Sequence, residues 1–157
     1  MSPMKSYKSA LILLISIVAF TCASCFPEGG SLIEPDYRIV NLWSVSHAYC
    51  DHVEVDSTTF DTDDIYYQGF MPSTLYYIYA DHVMNIHCYY HGQIRQSTFS
   101  TWVIDKSEKT LALDFTLLGR HYAFTADLRK LTKREMIIEF NDEGHQWRLV
   151  MNAQTSY

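Results

Sequence analysis

The chain has 157 residues, 48% of them hydrophobic, and contains twelve Tyr and eight Phe. This length suits one domain, and aromatic residues favour β-strands because large rings pack well on a pleated surface. The formal net charge of −6 argues against a nucleic-acid partner, since phosphate contacts need clustered Lys and Arg.

The N-terminus has the pattern of an export signal. Lys5 and Lys8 precede an apolar run at residues 10–20, which small residues and Cys25 follow. A basic segment, a short apolar segment and a small-residue cleavage zone predict a signal peptide over residues 1–24. The run is shorter than the roughly 20 apolar residues of a membrane-spanning helix.

The segment Thr21-Cys22-Ala23-Ser24-Cys25 resembles the lipobox of bacterial lipoproteins. In that family the cysteine after the small residues is acylated and becomes the new N-terminus. The resemblance implies lipidation at Cys25 and a short lipidated tether at residues 25–38. Two alternatives stay open, which are acylation at Cys22 and cleavage near Ser24 with release of a soluble protein.

The remaining chain alternates apolar and polar residues in short runs separated by turn residues. This period of two predicts strands, and short connections predict an antiparallel meander. We expect an eight-stranded up-and-down barrel at residues 39–157, closed by pairing of the first and last strands, because closure removes exposed edges. The alternation changes parity near Arg129, which predicts a bulge there. The eight predicted strands are residues 39–49, 74–80, 83–90, 98–104, 110–115, 122–128, 135–140 and 145–151.

Three hairpin registers follow from the apolar faces. We place Ala80 opposite Val83, Ile104 opposite Leu111, and Ile138 opposite Trp147. These registers direct one set of large side chains into the barrel, where they either fill a core or line a ligand pocket. The aromatic members of that set are the predicted ligand-binding residues, Trp43, Tyr77, Tyr79, Trp102, Phe115, Phe124 and Trp147.

Four segments of the barrel carry a family resemblance. They are Trp43 in the first strand, the run Tyr-Tyr-Ile-Tyr-Ala-Asp-His-Val-Met, residues 102–113 and residues 131–140. Together they resemble the lipocalin-like domains of bacterial lipoproteins over residues 39–153. The resemblance implies a small calyx-like barrel without a known activity, tethered in the bacterial cell envelope.

Metal and catalytic patterns are weak. The histidines and cysteines of the predicted barrel form two clusters, but neither cluster contains a Cys-x₂-Cys pair, and strand alternation separates the members of the second cluster. We therefore predict turn and surface histidines, no metal and no cofactor. The clusters are His47, Cys50 and His52 in the first, and His82, His87, Cys88 and His91 in the second.

Cys50 and Cys88 allow a disulfide in an exported protein, but the first and third strands are not neighbours in a meander. This arrangement favours two free thiols. Asp61, Asp63 and Asp64 lie in a long acidic stretch at residues 51–73, which lacks the Gly and distal Glu of a calcium loop and is interpreted as a solvated lid.

No motif of nucleophilic catalysis or phosphate binding occurs, so we expect a monomer without enzymatic activity. Two functions remain open. The barrel either binds a small apolar or amphipathic ligand under the lid, or has a filled interior. In the second case, outer-face tyrosines and the lid bind another protein or a glycan.

Overall fold

The computed structural model describes residues 38–56, 64–107 and 109–154, and it confirms an all-β, antiparallel fold. The predicted signal peptide, Cys25, most of the tether, Asp61 and Asp63 lie outside the described residues. Within the described ranges, no helix is long and apolar enough to cross a membrane.

All eight predicted strands are present, and two short strands join them. One short strand pairs only with the first strand, and the other lies on the barrel path, so the path has nine strands instead of the predicted eight. The order around the barrel is β5-β4-β3-β1-β10-β9-β8-β7-β6. The strands are β1 (Asn41–Cys50), β2 (Val53–Val55), β3 (Leu75–Ile78), β4 (Met84–Tyr90), β5 (Gln93–Gln96), β6 (Thr98–Asp105), β7 (Thr110–Leu117), β8 (Arg120–Leu131), β9 (Glu135–Asp142) and β10 (His145–Ala153).

The barrel is nearly closed. β1 pairs with β10 along most of its length, which confirms the predicted pairing of the first and last strands. The remaining opening lies between β4 and β6. The chain pairs with β4 up to the end of β5, separates from it at Ser97, and continues as β6, which pairs with β7 instead. A single bridge from Val83 to Thr101 and a 3.1 Å hydrogen bond from the Trp102 amide to the His82 carbonyl cross this opening.

The β9–β10 hairpin is tighter than predicted. Its turn consists of Glu143 and Gly144, whose φ values of 50° and 83° are those of a two-residue type I′ turn. Trp147 therefore pairs with Phe140 instead of Ile138. The register moves by two residues, so every side chain stays on its predicted face. The predicted bulge is confirmed by the register shift between Leu128 and Lys130.

The predicted register of the β3–β4 hairpin is wrong. Ile78 pairs with Met84, and the Tyr79 amide donates to the Val83 carbonyl, so the loop has three residues instead of two. The last loop residue, His82, has a φ of 64°, as three-residue hairpin loops require. An odd change in loop length exchanges the two faces of a strand. Tyr77 is consequently half-buried on the outer face and Tyr79 is exposed.

Candidate functional site

The barrel interior contains five of the seven predicted ligand-binding residues. Trp43, Trp102, Phe115 and Trp147 are fully buried, and Phe124 packs against them from a partly buried position. On β3 the inward positions belong to Tyr76 and Ile78, so Tyr77 and Tyr79 do not contribute to this interior set.

Residues 64–74, which we call the plug, enter the barrel and contact these aromatic rings. Phe70 is fully buried at its centre. The Phe70 ring lies 4.9 Å from the ring of Phe140 and 5.0 Å from that of Trp147, both at steep angles. It also meets the edges of Tyr122 and Phe124. The segment predicted to be a solvated lid therefore supplies the ring that fills the space between the strands.

Two hydrogen bonds from barrel side chains and one within the plug hold the plug backbone. The Tyr76 hydroxyl donates to the Gly69 carbonyl at 2.5 Å, and the Tyr122 hydroxyl lies 3.0 Å from the Ile65 carbonyl. The Thr74 hydroxyl donates to the Gln68 carbonyl at 3.0 Å. These side chains satisfy carbonyl groups that burial would otherwise leave without partners.

A buried ion pair anchors the same segment at the barrel rim. The Arg120 guanidinium donates to the Asp142 carboxylate at 2.6 Å, and the two side chains are only 9% and 12% exposed. Arg120 also donates to the Tyr66 carbonyl and lies 4.3 Å above the Tyr122 ring. Because one guanidinium contacts β9, β8 and the plug, it couples the position of the plug to the barrel wall.

Large apolar side chains are exposed at the opening between β4 and β6. We call Tyr79, Val83, Phe99 and Val103 the seam patch. Phe99 is 89% exposed and has a φ of 50°, inside the β6 bulge between Thr98 and Thr101. A bulky residue rarely adopts this left-handed conformation. Alternation from the inward Trp102 already places Phe99 on the outer face, whereas its left-handed φ comes from the bulge, which the sequence pattern does not reveal.

Two shallow grooves follow the seam patch. The first has a volume of about 490 Å³ and is lined by Tyr79, Val83 and Phe99. The second has a volume of about 500 Å³ and is lined by Val103. Thr101 lines both grooves, and in the second the small side chains of Ala112 and Ala123 form the floor. The two grooves therefore adjoin each other at Thr101 on the outside of the barrel, and the ring of Phe99 is exposed beside them.

The histidines that lie close together in the sequence have separate partners in the structure. His47 contacts the Glu54 carboxylate at 2.7 Å, His82 donates to the Trp102 carbonyl, and the His87 ring packs on Tyr77. Cys50 and Cys88 are both buried free thiols, as their strand positions indicated.

The structure instead brings Cys50 together with Asp51 and His145. Sequence analysis missed this group because His145 lies 94 residues from Asp51 in the chain.

No protein-family model, curated protein or solved structure matches this chain. The lipocalin-like resemblance and lipidation at Cys25 stay predictions from sequence motifs. The arrangement of the described residues is consequently the basis on which a function can be proposed.

Proposed function

We propose that this chain is an exported, membrane-tethered barrel protein that binds another protein through the seam patch and does not act as an enzyme. The observation that carries the proposal is the combination of a filled interior with a strained, almost fully exposed Phe99. The small-ligand alternative requires open space where Phe70 and its ring contacts lie.

Phe99 has the properties of an interface anchor. Aromatic residues contribute much of the binding energy of protein interfaces when a partner pocket removes them from water. Keeping a bulky side chain at positive φ costs on the order of 1–3 kcal/mol, and such strain is concentrated at functional positions. In the free protein nothing offsets the energetic cost of this conformation, whereas contacts with a bound partner would offset it.

The chemistry of the patch favours a protein over the other partner classes. Neither groove is lined by Lys or Arg, so it offers no contact for lipid head groups or nucleic acid. Phe99 shares its groove with the apolar side chains of Tyr79, Val83 and Met84, whose surface matches an apolar pocket. A glycan needs several directed hydrogen bonds in addition to one stacked ring, which makes it the weaker alternative.

The predicted tether supports this role. Multiple acyl chains at Cys25 contribute about 0.8 kcal/mol for each buried CH₂ and would keep the barrel at a membrane surface. A tethered module meets its partner in two dimensions at a raised effective concentration, so a recessed patch of this modest size is sufficient.

Photo-crosslinking in the bacterial cell envelope tests the proposal. A photoreactive amino acid replaces Phe99 or Val103 in the seam patch, and Asn152 on the distant strand β10 as an exposed control. We expect one defined protein adduct from the two patch positions and none from Asn152. The purified partner should then bind Phe99→Ser at least about tenfold more weakly, since an anchor contributes 2 kcal/mol or more.

The same variant separates lost binding from lost folding. Phe99 is exposed, so Phe99→Ser should keep the thermal midpoint of the unchanged protein or raise it. Two results would contradict the proposal. One is equal crosslinking at Asn152 and Phe99. The other is native mass spectrometry of the protein from its own host that shows a small molecule bound in each barrel.

A further inference from the structure

Two type I′ turns lie side by side at one rim of the barrel. The β1–β2 turn consists of Asp51 and His52, with φ values of 50° and 69°, between the paired residues Cys50 and Val53. Because β1 pairs with β10, Cys50 is also opposite Trp147. The Asp51 amide donates to the Gln146 carbonyl at 2.8 Å, which ties this turn to the start of β10.

Three chemically different donors converge between these turns. The Cys50 sulfur, one carboxylate oxygen of Asp51 and one ring nitrogen of His145 all lie within 4.8 Å of one another. Each of the two carboxylate oxygens of Asp51 has a hydrogen-bond partner. Oδ2 of Asp51 lies 2.7 Å from Nδ1 of His145, and Oδ1 accepts the Gln146 N–H at 2.9 Å. Among the described residues, this is the one group of three side chains that could hold a metal ion.

The group is positioned for access from solvent. The Asp51 and His145 side chains are 54% and 43% exposed, whereas Cys50 is buried beneath them. The Tyr67 ring packs edge-on against the His145 ring at 6.1 Å and limits its rotation. An arriving ion would therefore meet the two more exposed ligands first and the buried sulfur last.

We propose that Cys50, Asp51 and His145 form a site for a transition-metal ion of the Zn²⁺ class, with a fourth position left for water. Thiolate, imidazole and carboxylate together match the ligand preferences of Zn²⁺, whereas Ca²⁺ and Mg²⁺ require oxygen ligands. With metal–ligand bonds of about 2.0–2.3 Å, tetrahedral donors lie about 3.6 Å apart, so the exposed side chains need to move by only about 1 Å.

The two acidic ligands are affected in opposite ways, and the raised pKa of the thiol works against the thiolate that a metal ion binds. Burial raises the pKa of the Cys50 thiol, and the negative charge of Asp51 raises it further. The hydrogen bonds from His145 and from the Gln146 amide lower the pKa of Asp51. The carboxylate is therefore ionised at neutral pH and attracts a cation, while the thiol is protonated. Formation of the metal–sulfur bond releases the thiol proton to solvent.

Titration of the metal-stripped protein with Co²⁺ tests this inference, because a thiolate bound to Co²⁺ gives a near-ultraviolet charge-transfer band. We expect one Co²⁺ per chain with that band, and competition by Zn²⁺. Cys50→Ser should abolish the band, and Asp51→Asn and His145→Gln should weaken binding at least about tenfold, the minimum loss when even an outer contact of a metal site is removed.

Two matched controls are available in the chain. His121 lies 2.8 Å from Asp114 with both side chains more than half exposed, which reproduces the His–carboxylate pair without a thiol. Cys88 is a buried thiol outside any such group among the described residues. Neither His121→Gln nor Cys88→Ser should change the Co²⁺ affinity or the band.

Three results would overturn the site. The first is Co²⁺ binding that the Asp51 and His145 variants leave unchanged. The second is a band that disappears in Cys88→Ser and persists in Cys50→Ser. The third is the absence of a thiolate band in the unchanged protein. If Cys50→Ser fails to fold, the exposed Asp51→Asn and His145→Gln variants decide the question.

Discussion

At the scale of single residues, Tyr122 connects the barrel wall to the plug. Its ring is stacked on Phe115 at 4.6 Å and meets the edge of Phe70 at 5.5 Å, while its hydroxyl reaches the Ile65 and Tyr66 carbonyls. A neutral hydroxyl satisfies these carbonyls as a donor, and a phenolate could not. Burial accordingly raises the pKa of Tyr122 to about 12.

This shift predicts a loss of stability at alkaline pH. The folded pKa of about 12 exceeds the ordinary value of 10.0, so the unfolded chain loses its proton first as pH rises. The contribution is complete below pH 10 and falls by about 3 kcal/mol up to pH 12, since one pKa unit corresponds to about 1.4 kcal/mol. Urea unfolding from pH 9 to 12 measures the effect.

Tyr122→Phe provides the comparison. It should be less stable at pH 7, because the Ile65 carbonyl loses its donor while the Tyr66 carbonyl keeps Arg120, but its stability should fall less between pH 10 and 12. Burial also raises the pKa of Cys88 to about 11 and that of Tyr76 above its usual range. These two groups are common to both proteins, so the difference between the curves belongs to Tyr122. Parallel curves would disprove its role.

At the scale of elements, the plug decides whether the barrel is a container. The strands alone would surround a space lined by Phe124, Phe140 and Trp147, and Phe70 occupies it through four ring contacts. Arg120 donates to the Tyr66 carbonyl near the start of the plug, and the Tyr76 hydroxyl donates to the Gly69 carbonyl beside Phe70. The filled interior is the reason why the partner site that we propose lies on the outer surface.

Truncation of Phe70 should open the interior. We expect Phe70→Ala to lower the free energy of unfolding by about 3–5 kcal/mol, through lost burial and the remaining cavity. The apolar cavity should bind a small aromatic probe such as benzene or indole, which raises the stability of the variant. Denaturant unfolding with and without the probe measures both effects.

The exposed aromatic Tyr89 supplies the control, because Tyr89→Ala should change the free energy of unfolding by less than about 1 kcal/mol and create no probe site. Phe70→Leu, with a smaller cavity, should lie between the unchanged protein and Phe70→Ala. If the unchanged protein binds the probe as tightly as Phe70→Ala, the interior is accessible and the small-ligand function replaces ours.

At the scale of the whole molecule, pairing of β1 with β10 closes one side of the barrel. The predicted tether leads into β1, whereas the seam patch lies at the opening between β4 and β6. In the strand order, β3 and β4 separate β1 from that opening. The predicted attachment to the membrane and the proposed binding of a partner would therefore involve different strands.

Cys25→Ala tests the predicted anchor. The variant should move from the membrane fraction to the soluble fraction, because the chain would then lack the acyl groups that hold it at the bilayer. Immunoblotting of separated fractions measures the change, and Cys22→Ala serves as the control that should stay membrane-bound. If only Cys22→Ala is released, acylation belongs to Cys22. If neither variant is released, neither cysteine alone is the lipid anchor.

Local pattern was sufficient wherever one strand face is apolar and the other polar. Residues 135–151 alternate clearly, so the faces of β9 and β10 were correct although the turn length was wrong by two residues. The run Leu75–Ile78 is apolar or aromatic at every position. Its faces were set by the three-residue loop that follows, and the prediction for Tyr77 and Tyr79 failed for that reason.

The sequence by itself determined the class of the fold, eight strands of the barrel, the pairing that closes it and the bulge at Arg129. The folded barrel was needed to show that Phe70 fills the interior, that Phe99 has a left-handed φ inside a bulge, and that Asp51 meets His145. The two groups of features differ in the distance along the chain over which the responsible interactions act. Alternation and turn chemistry act between neighbours in the chain, whereas packing and donor convergence depend on residues that only the closed barrel brings together.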